Sequence, residues 1–193
     1  QMHALVNSAV DPLRMQLRSC SPAKLVDRCV GMRPGKLDSP AAATKFALRE
    51  LARRHRALDE EVERFDEELS RLVAKRAPRL VALVGVGTDV AGALLVTAGD
   101  NPDRLRSEAS FAHLCGVSPI PASSGRIHRH RLNRGGDRSA NQALWRIVMV
   151  RMSWDERTRA YAARRTSEGL SKREIIRCLK RYVAREIYEV LVA

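Results

Sequence analysis

The chain has 193 residues, 45% hydrophobic and 30% charged, a balance that excludes a disordered chain and suits one large globular domain or two small ones. Aromatic residues are only 4%, so the core must be built from Leu, Val, Ala and Ile, which suits helices. Lys and Arg number 35 against 22 Asp and Glu, a net charge of +13 with a sequence pI near 10.6, which points to nucleic acid as the partner.

The chain begins at Gln1 and falls directly into an amphipathic pattern, as expected of a cut within a longer protein. Residues 2–18 read as one helix with Leu5, Val6, Val10, Leu13 and Leu17 on one side. Ser21-Pro22 opens a second, short helix through Val30, and Gly31, Pro34, Gly35 and Pro40 mark a linker. Residues 41–76 then form a long helix. Leu48, Leu51, His55, Leu58, Val62, Phe65, Leu69 and Leu72 are spaced alternately three and four apart, a heptad seam that seeks an apolar partner. His55 is expected to be a tolerated polar residue that sets register, and Pro78 ends the helix.

Residues 79–98 read as helix, Gly85-Val86-Gly87, helix, with Ala91 four residues after Gly87, a pattern that resembles a helix-hairpin-helix. Such glycines let the backbone turn tightly toward a phosphate, and the next helix presents free N–H groups from Gly87 and Thr88 onward. The competing reading is an ordinary helical hairpin. Gly99 to Pro102 is a loop, and Ser107 caps a short helix through Leu114. Residues 116–136 are irregular, and Arg126, Arg129, Arg131, Arg134 and Arg138 stand in or just after them. Asp137 or Ser139 caps a helix to about Ser153, and a further helix reaches Arg165. Ser171-Lys-Arg-Glu174 is a capping box for a last helix over 172–191, whose polar sides carry Arg177, Lys180 and Arg181 among other cations.

Cys20, Cys29, Cys115 and Cys178 fit neither a zinc site nor a disulfide framework, and His128 and His130 lie among arginines that would repel a metal. No metal site is therefore expected within this chain. No apolar run approaches the roughly 18 residues of a membrane span, and no basic-then-apolar leader opens the chain. The chemistry-bearing stretch is Ala122-Ser123-Ser124-Gly125, in a loop flanked by prolines and followed by arginines. Arginines can neutralise a phosphodiester and the charge that develops when a hydroxyl attacks it, and Gly125 allows close approach of a strand. Taken alone, Ser-Ser-Gly is a common turn.

From Pro78 to Ala193 the chain resembles the serine-bearing C-terminal domain of the insertion-sequence one-ten transposases, the bridge-RNA-guided recombinases. The resemblance rests on Leu83-Val-Gly-Val-Gly87, Ala91, Phe111, Leu114-Cys-Gly-Val-Ser-Pro119 and Ala122-Ser-Ser-Gly125. It continues through Arg131-Leu-Asn-Arg-Gly-Gly-Asp-Arg138, Asn141-Gln-Ala-Leu144, Arg164 to Gly169 and Arg177 to Glu186. It implies a mainly α fold in three parts: residues 1–38 as the tail of a RuvC-like domain with its linker, 39–77 as a coiled-coil helix, and 78–193 as the serine transposase domain. It also implies a DNA recombinase in which Ser124, with Ser123 in reserve, attacks DNA and holds it as a phosphoserine. A structured guide RNA would select the sites, in a bacterial-type cytoplasm near the nucleoid. The carboxylates that would bind Mg2+ belong to the RuvC-like domain, whose motifs are absent here, so this chain alone is expected to be inactive. Asn141 departs from the arginine that many relatives carry at that place.

The alternative is a non-catalytic helix-hairpin-helix module that binds nucleic acid and assembles through its coiled coil. The seam predicts a homo-oligomer, dimer or tetramer. Leu58→Asp should dissociate it in sedimentation velocity; an unchanged mass would mean that the helix pairs within one chain.

Overall fold

The computed structural model describes residues 1–100, 105–122, 130–131 and 133–192. Among them are ten α-helices and one two-stranded antiparallel hairpin, a mainly α architecture. None of the described helices is long and apolar enough to cross a membrane. The chain divides into two compact units, Gln1–Glu67 and Glu68–Ala193.

The first unit holds α1 (Met2–Ser8), α2 (Asp11–Leu17), α3 (Pro22–Val30) and most of α4 (Pro40–Arg76). The single helix expected over residues 2–18 is two helices. The cause is Pro12: inside a helix it would offer no N–H to the carbonyl of Ser8 and its ring would strike that carbonyl. Helix α1 therefore stops at Ser8, Ala9 and Val10 are extended, and Pro12 sits in the first turn of α2 where no donor is missed. Val6, Leu13, Leu17, Leu25 and Cys29 form the core with Leu48 and Ala52 from the start of α4. Arg56 bridges α4 to Asp27 of α3 at 2.9 Å.

Helix α4 is present as the periodicity predicts, with the Ser39 hydroxyl accepting from the Ala42 N–H at its start and Lys75 and Arg76 at its negative C-terminal end. Its seam has uneven burial. Leu48 is fully buried, whereas Leu58, Val62 and Phe65 are 46%, 55% and 65% exposed. His55 is turned to solvent and meets Asp59 at 2.7 Å.

The second unit contains the end of α4, then α5 (Pro78–Val81), α6 (Thr88–Ala98), α7 (Glu108–Leu114), β1 (Ile120–Pro121), β2 (His130–Arg131), α8 (Arg138–Trp154), α9 (Glu156–Ser167) and α10 (Lys172–Val192). The hairpin register pairs Ile120 with Arg131 and Pro121 with His130. Helix α8 is central and packs on α6, α9 and α10. It buries Ala140, Ala143, Leu144, Ile147 and Val148, the spacing of a wide apolar stripe. Leu80, Leu94, Phe111 and Ile187 complete the fully buried centre.

Side-chain caps set the helix starts. Ser107 accepts from the Ser110 N–H at 3.1 Å, Asp137 from Ala140 at 2.8 Å and Asp155 from Thr158 at 2.8 Å. Ser171 and Glu174 form the expected box: Glu174 Oε2 accepts from the Ser171 N–H at 2.9 Å, and Ser171 Oγ accepts in return from the Glu174 N–H at 3.4 Å. The Ser171 hydroxyl, and then its N–H, hold the Glu174 carboxyl below its ordinary pKa. Asp137→Ala removes one such acceptor from the head of the central helix. It should cost about 1 kcal/mol and lower the thermal midpoint, read by circular dichroism, by about 3 °C. An unchanged midpoint would show that water replaces the cap.

Candidate nucleic-acid interface

Two features of the second unit bring together residues suited to phosphate. The first is the turn between α5 and α6. The helix that precedes it is a single turn, and the chain then reverses through Gly85 at φ +82°, a left-handed conformation open to glycine. A side chain at Gly85 would also meet the Ile147 carbonyl at 3.2 Å and Val150 Cβ at 3.4 Å, so the turn lies directly on α8. Arg151 of α8 fixes it there: its Nε donates to the Val84 carbonyl at 2.7 Å and its Nη1 to Glu186 of α10 at 2.5 Å. Gly87 is the N-cap of α6 with no side-chain acceptor, nothing stands within 4 Å of where its Cβ would be, and Ala91 N–H closes the first helical bond onto its carbonyl. The head of α6 is thus open, with a positive dipole end. Thr88 is held by Ser70 at 3.2 Å, and Asp89 in the first turn pairs with Arg146 at 4.0 Å.

The second feature is a cavity of about 770 Å³ between the Gly116–Pro119 turn, strand β2, Asn133 and one face of α10. Its geometry starts from two glycines. Gly116 has φ +66°, and a Cβ on it would stand 3.3 Å from Gly136 Cα and 3.2 Å from Asn141 Nδ2. A Cβ on Gly136 would press on the Cys115 carbonyl carbon at 2.9 Å and on the Gly116 backbone more closely still. The two backbones therefore cross where only glycine fits. Around the crossing the Asp137 N–H donates to the Leu114 carbonyl at 2.7 Å, and the Val117 N–H donates to that of Ala112 at 2.9 Å. Asn141 Nδ2 donates to the carbonyls of Cys115 and Gly116 at 2.8 and 3.1 Å. Asn133 adds a bond to the His113 carbonyl at 3.3 Å. Cys115 beneath is buried, and burial, with Asp137 adding, pushes its thiol up to about 12, so it is an inert core group.

Helix α10 supplies the charge. Arg177, Lys180 and Arg181 line the cavity with Arg131 from β2, against Glu174 alone. Arg181 is neutralised by Glu108 of α7, its Nη2 donating to Oε2 at 2.8 Å, with Arg185 at 3.9 Å from the same carboxylate. Lys180 instead donates to the amide oxygen of Asn141 at 2.8 Å. Burial, and then the charge of Arg177, lower its pKa. Arg134 lines a smaller cavity of about 490 Å³ with Ile120, Arg131 and Asn133, and Arg138 is the first residue of α8. Ser123, Ser124, Arg126 and Arg129 lie outside the described residues, in the stretch that joins β1 to β2 in the chain. No three His, Cys, Asp or Glu side chains among the described residues come together as a metal site would require.

Gly116, Gly136, Asn141 and Arg151 are the positioning residues that periodicity does not reveal. The signal for the first two was the pair of compact motifs around them, and nothing in the local pattern joined those motifs.

Residues 77–163 match the family described as Transposase IS116/IS110/IS902. Among curated proteins, the chain is 29% identical over 136 residues to the insertion element IS110 uncharacterized 43.6 kDa protein of Streptomyces coelicolor (strain ATCC BAA-471 / A3(2) / M145), an alignment covering 70% of this chain and 32% of the relative. The chain spans about a third of that relative's length. Both the open turn and the paired strands fall within residues 77–163, whereas α10 lies beyond them. Gly136→Ala should cost about 3 kcal/mol, since backbone rather than a flexible side chain must give way. A chemical-denaturation midpoint equal to that of the parent would show that the crossing can open without loss.

Proposed function

We propose that the chain, whose residues 77–163 match the family described as Transposase IS116/IS110/IS902, serves a DNA transposase, a site-specific recombinase that cuts and rejoins strands through a serine. The observation that carries the reading is the family match itself, which spans the glycine turn, the serine stretch and both strands that bracket it.

Ser124 is the nucleophile in this proposal, with Ser123 as the reserve. Its Oγ forms a bond to phosphorus while the bond from phosphorus to one deoxyribose oxygen breaks. The serine proton is lost, and the departing oxygen takes up a proton. The phosphoester is kept on the protein, so a hydroxyl of another strand can displace the serine and reseal the backbone without an external energy source. Clustered cations lower the cost of the charge that builds on the phosphate oxygens. Arg126 and Arg129 flank the serine in sequence, and Arg131 stands at the described end of the hairpin.

Gly85, Gly87 and Thr88 hold a backbone phosphate without reading sequence, as do Arg134, Arg138 and the cations of α10. Site choice is assigned to a structured guide RNA that pairs with target and donor DNA. Assembly is assigned to the exposed part of the α4 seam, which joins copies of the chain. Mg2+ is assigned to carboxylates of a RuvC-like domain; among the described residues here no three His, Cys, Asp or Glu side chains stand together to hold it.

The test uses the whole protein with its RNA and both DNAs. The reaction is trapped and peptides spanning Pro119 to Arg126 are searched by mass spectrometry for a DNA adduct. The proposal expects an adduct on Ser124 that is absent, together with recombination, in Ser124→Ala. Recombination that persists in Ser124→Ala with no adduct would leave the chain as a nucleic-acid-binding and assembly module.

A further inference from the structure

The cavity beneath the hairpin carries more positive charge than its own walls can balance. Of its four cations, Arg181 is paired with Glu108. Among the described residues, none of Arg131, Arg177 and Lys180 has a carboxylate within 4.0 Å, and the one anion on the wall, Glu174, already has an oxygen held by Ser171. Arg131 and Arg177 are exposed and water can serve them. Lys180 is different: it is partly buried on the inner side of α10, its amine has a lowered pKa, and its one bond goes to a neutral amide. An ammonium taken out of water without a counter-charge is costly, and folding alone gives no reason to keep it there.

That amide is itself immobilised. Asn141 Nδ2 is committed to the carbonyls of Cys115 and Gly116, so its Oδ1 has only one way to face, toward Lys180. The ammonium has three donors. One goes to Asn141, and two remain for a ligand. An acceptor with several charged oxygens is what completes such a centre, and the cavity volume of about 770 Å³ exceeds what an isolated phosphate needs. Tyr182, 53% exposed on the same wall and stacked edge-on against Tyr161 at 5.6 Å, offers a flat face of the kind on which an unpaired base or its sugar rests.

We propose that this cavity seats one phosphodiester of a single nucleic-acid strand, with Lys180 as its inner cation and Asn141 as the positioning residue that aims it. The inference rests on the reading of the chain as a nucleic-acid-handling protein. It deepens the phosphate role given above to the cations of α10 by naming one centre, Lys180 aimed by Asn141, and a single strand as its ligand, and α10 lies outside the segment that matches the transposase family. Arg177 and Arg131 stand at the rim and meet the same strand, and Arg181, tied to Glu108, holds α10 against α7.

The test measures binding of a short labelled single strand to the full chain by fluorescence anisotropy across a salt series, with DNA and RNA of one sequence as separate arms. Lys180→Gln should weaken binding roughly tenfold and reduce the salt slope by about 0.7, and Lys180→Met should do the same. Lys180→Gln, whose amide can still donate to Asn141, should not lower the thermal midpoint, because it removes a partly buried charge that has no carboxylate partner; a lysine kept for structure would lower it. Loss in the DNA arm, the RNA arm or both identifies the strand that the cavity takes. Wild-type affinity and slope in both variants would overturn the proposal while leaving nucleic-acid binding intact. A wild-type chain that binds neither strand would overturn both.

Discussion

The second unit depends on one close approach, the crossing of the Gly116 and Gly136 backbones. Nothing bulkier than hydrogen fits between them, and Gly116 must also adopt φ +66°. The crossing fixes where α7 ends and α8 begins, because Asp137 both caps α8 and donates its N–H back to Leu114. It fixes the roots of the hairpin, since β1 leaves the Gly116 side and β2 returns to the Gly136 side. Asn141 seals it from one turn inside α8, and the same amide then reaches Lys180 of α10. A constraint of backbone sterics is thereby passed, through one side chain, to the placement of a charge.

The arginines divide by what answers them. Arg151 and Arg181 are largely shielded and meet carboxylates, Glu186 and Glu108, and each of these pairs ties α10 to another element. Such pairs fix geometry more than they add stability. Arg151 has a second task at the Val84 carbonyl, so the turn that leaves the head of α6 open is anchored to the helix that carries the cavity's cations. Among the described residues that line the cavity, Arg131, Arg177 and Lys180 have no carboxylate within 4.0 Å. At the cavity the balance is local: four cations and one carboxylate, Glu174, line it, while Glu186 and Glu108 are taken up where α10 meets α8 and α7.

Local chemistry was legible in the sequence. The capping box at Ser171 and Glu174, the caps at Ser107 and Asp137, and the length of α4 all follow from residues within one or two helical turns. What failed locally failed for a stated reason: the apolar spacing over residues 2–18 is helical throughout, but Pro12 forbids continuity across Ser8. The long-range contacts were not legible. Only the fold shows the Asn141 amide joining the Cys115–Gly116 turn, 26 and 25 residues back along the chain, to a lysine 39 residues on. Arg177, Lys180 and Arg181 were all read as basic, yet charge pattern alone cannot tell that Arg181 is neutralised and Lys180 is not. The serine stretch lies outside the described residues and inside the segment that matches the transposase family.

The α4 seam shows why a periodic pattern does not by itself define one interface. Its repeat runs unbroken from Leu48 to Leu72, but its parts have different uses. Leu48 and Ala52 belong to the core of the first unit, and Leu69 and Val73 pack into that of the second, where Leu69 stands 3.5 Å from where a Gly92 side chain would begin. Leu58, Val62 and Phe65 in the stretch between, and Leu72 after Leu69, remain exposed. An isolated helix of that composition gains little from propensity alone and needs an apolar partner to bury its stripe. The exposed segment spans two heptads, too short to dimerise strongly by itself, so a stable assembly through it requires that the attached units or the bound nucleic acid hold the copies together.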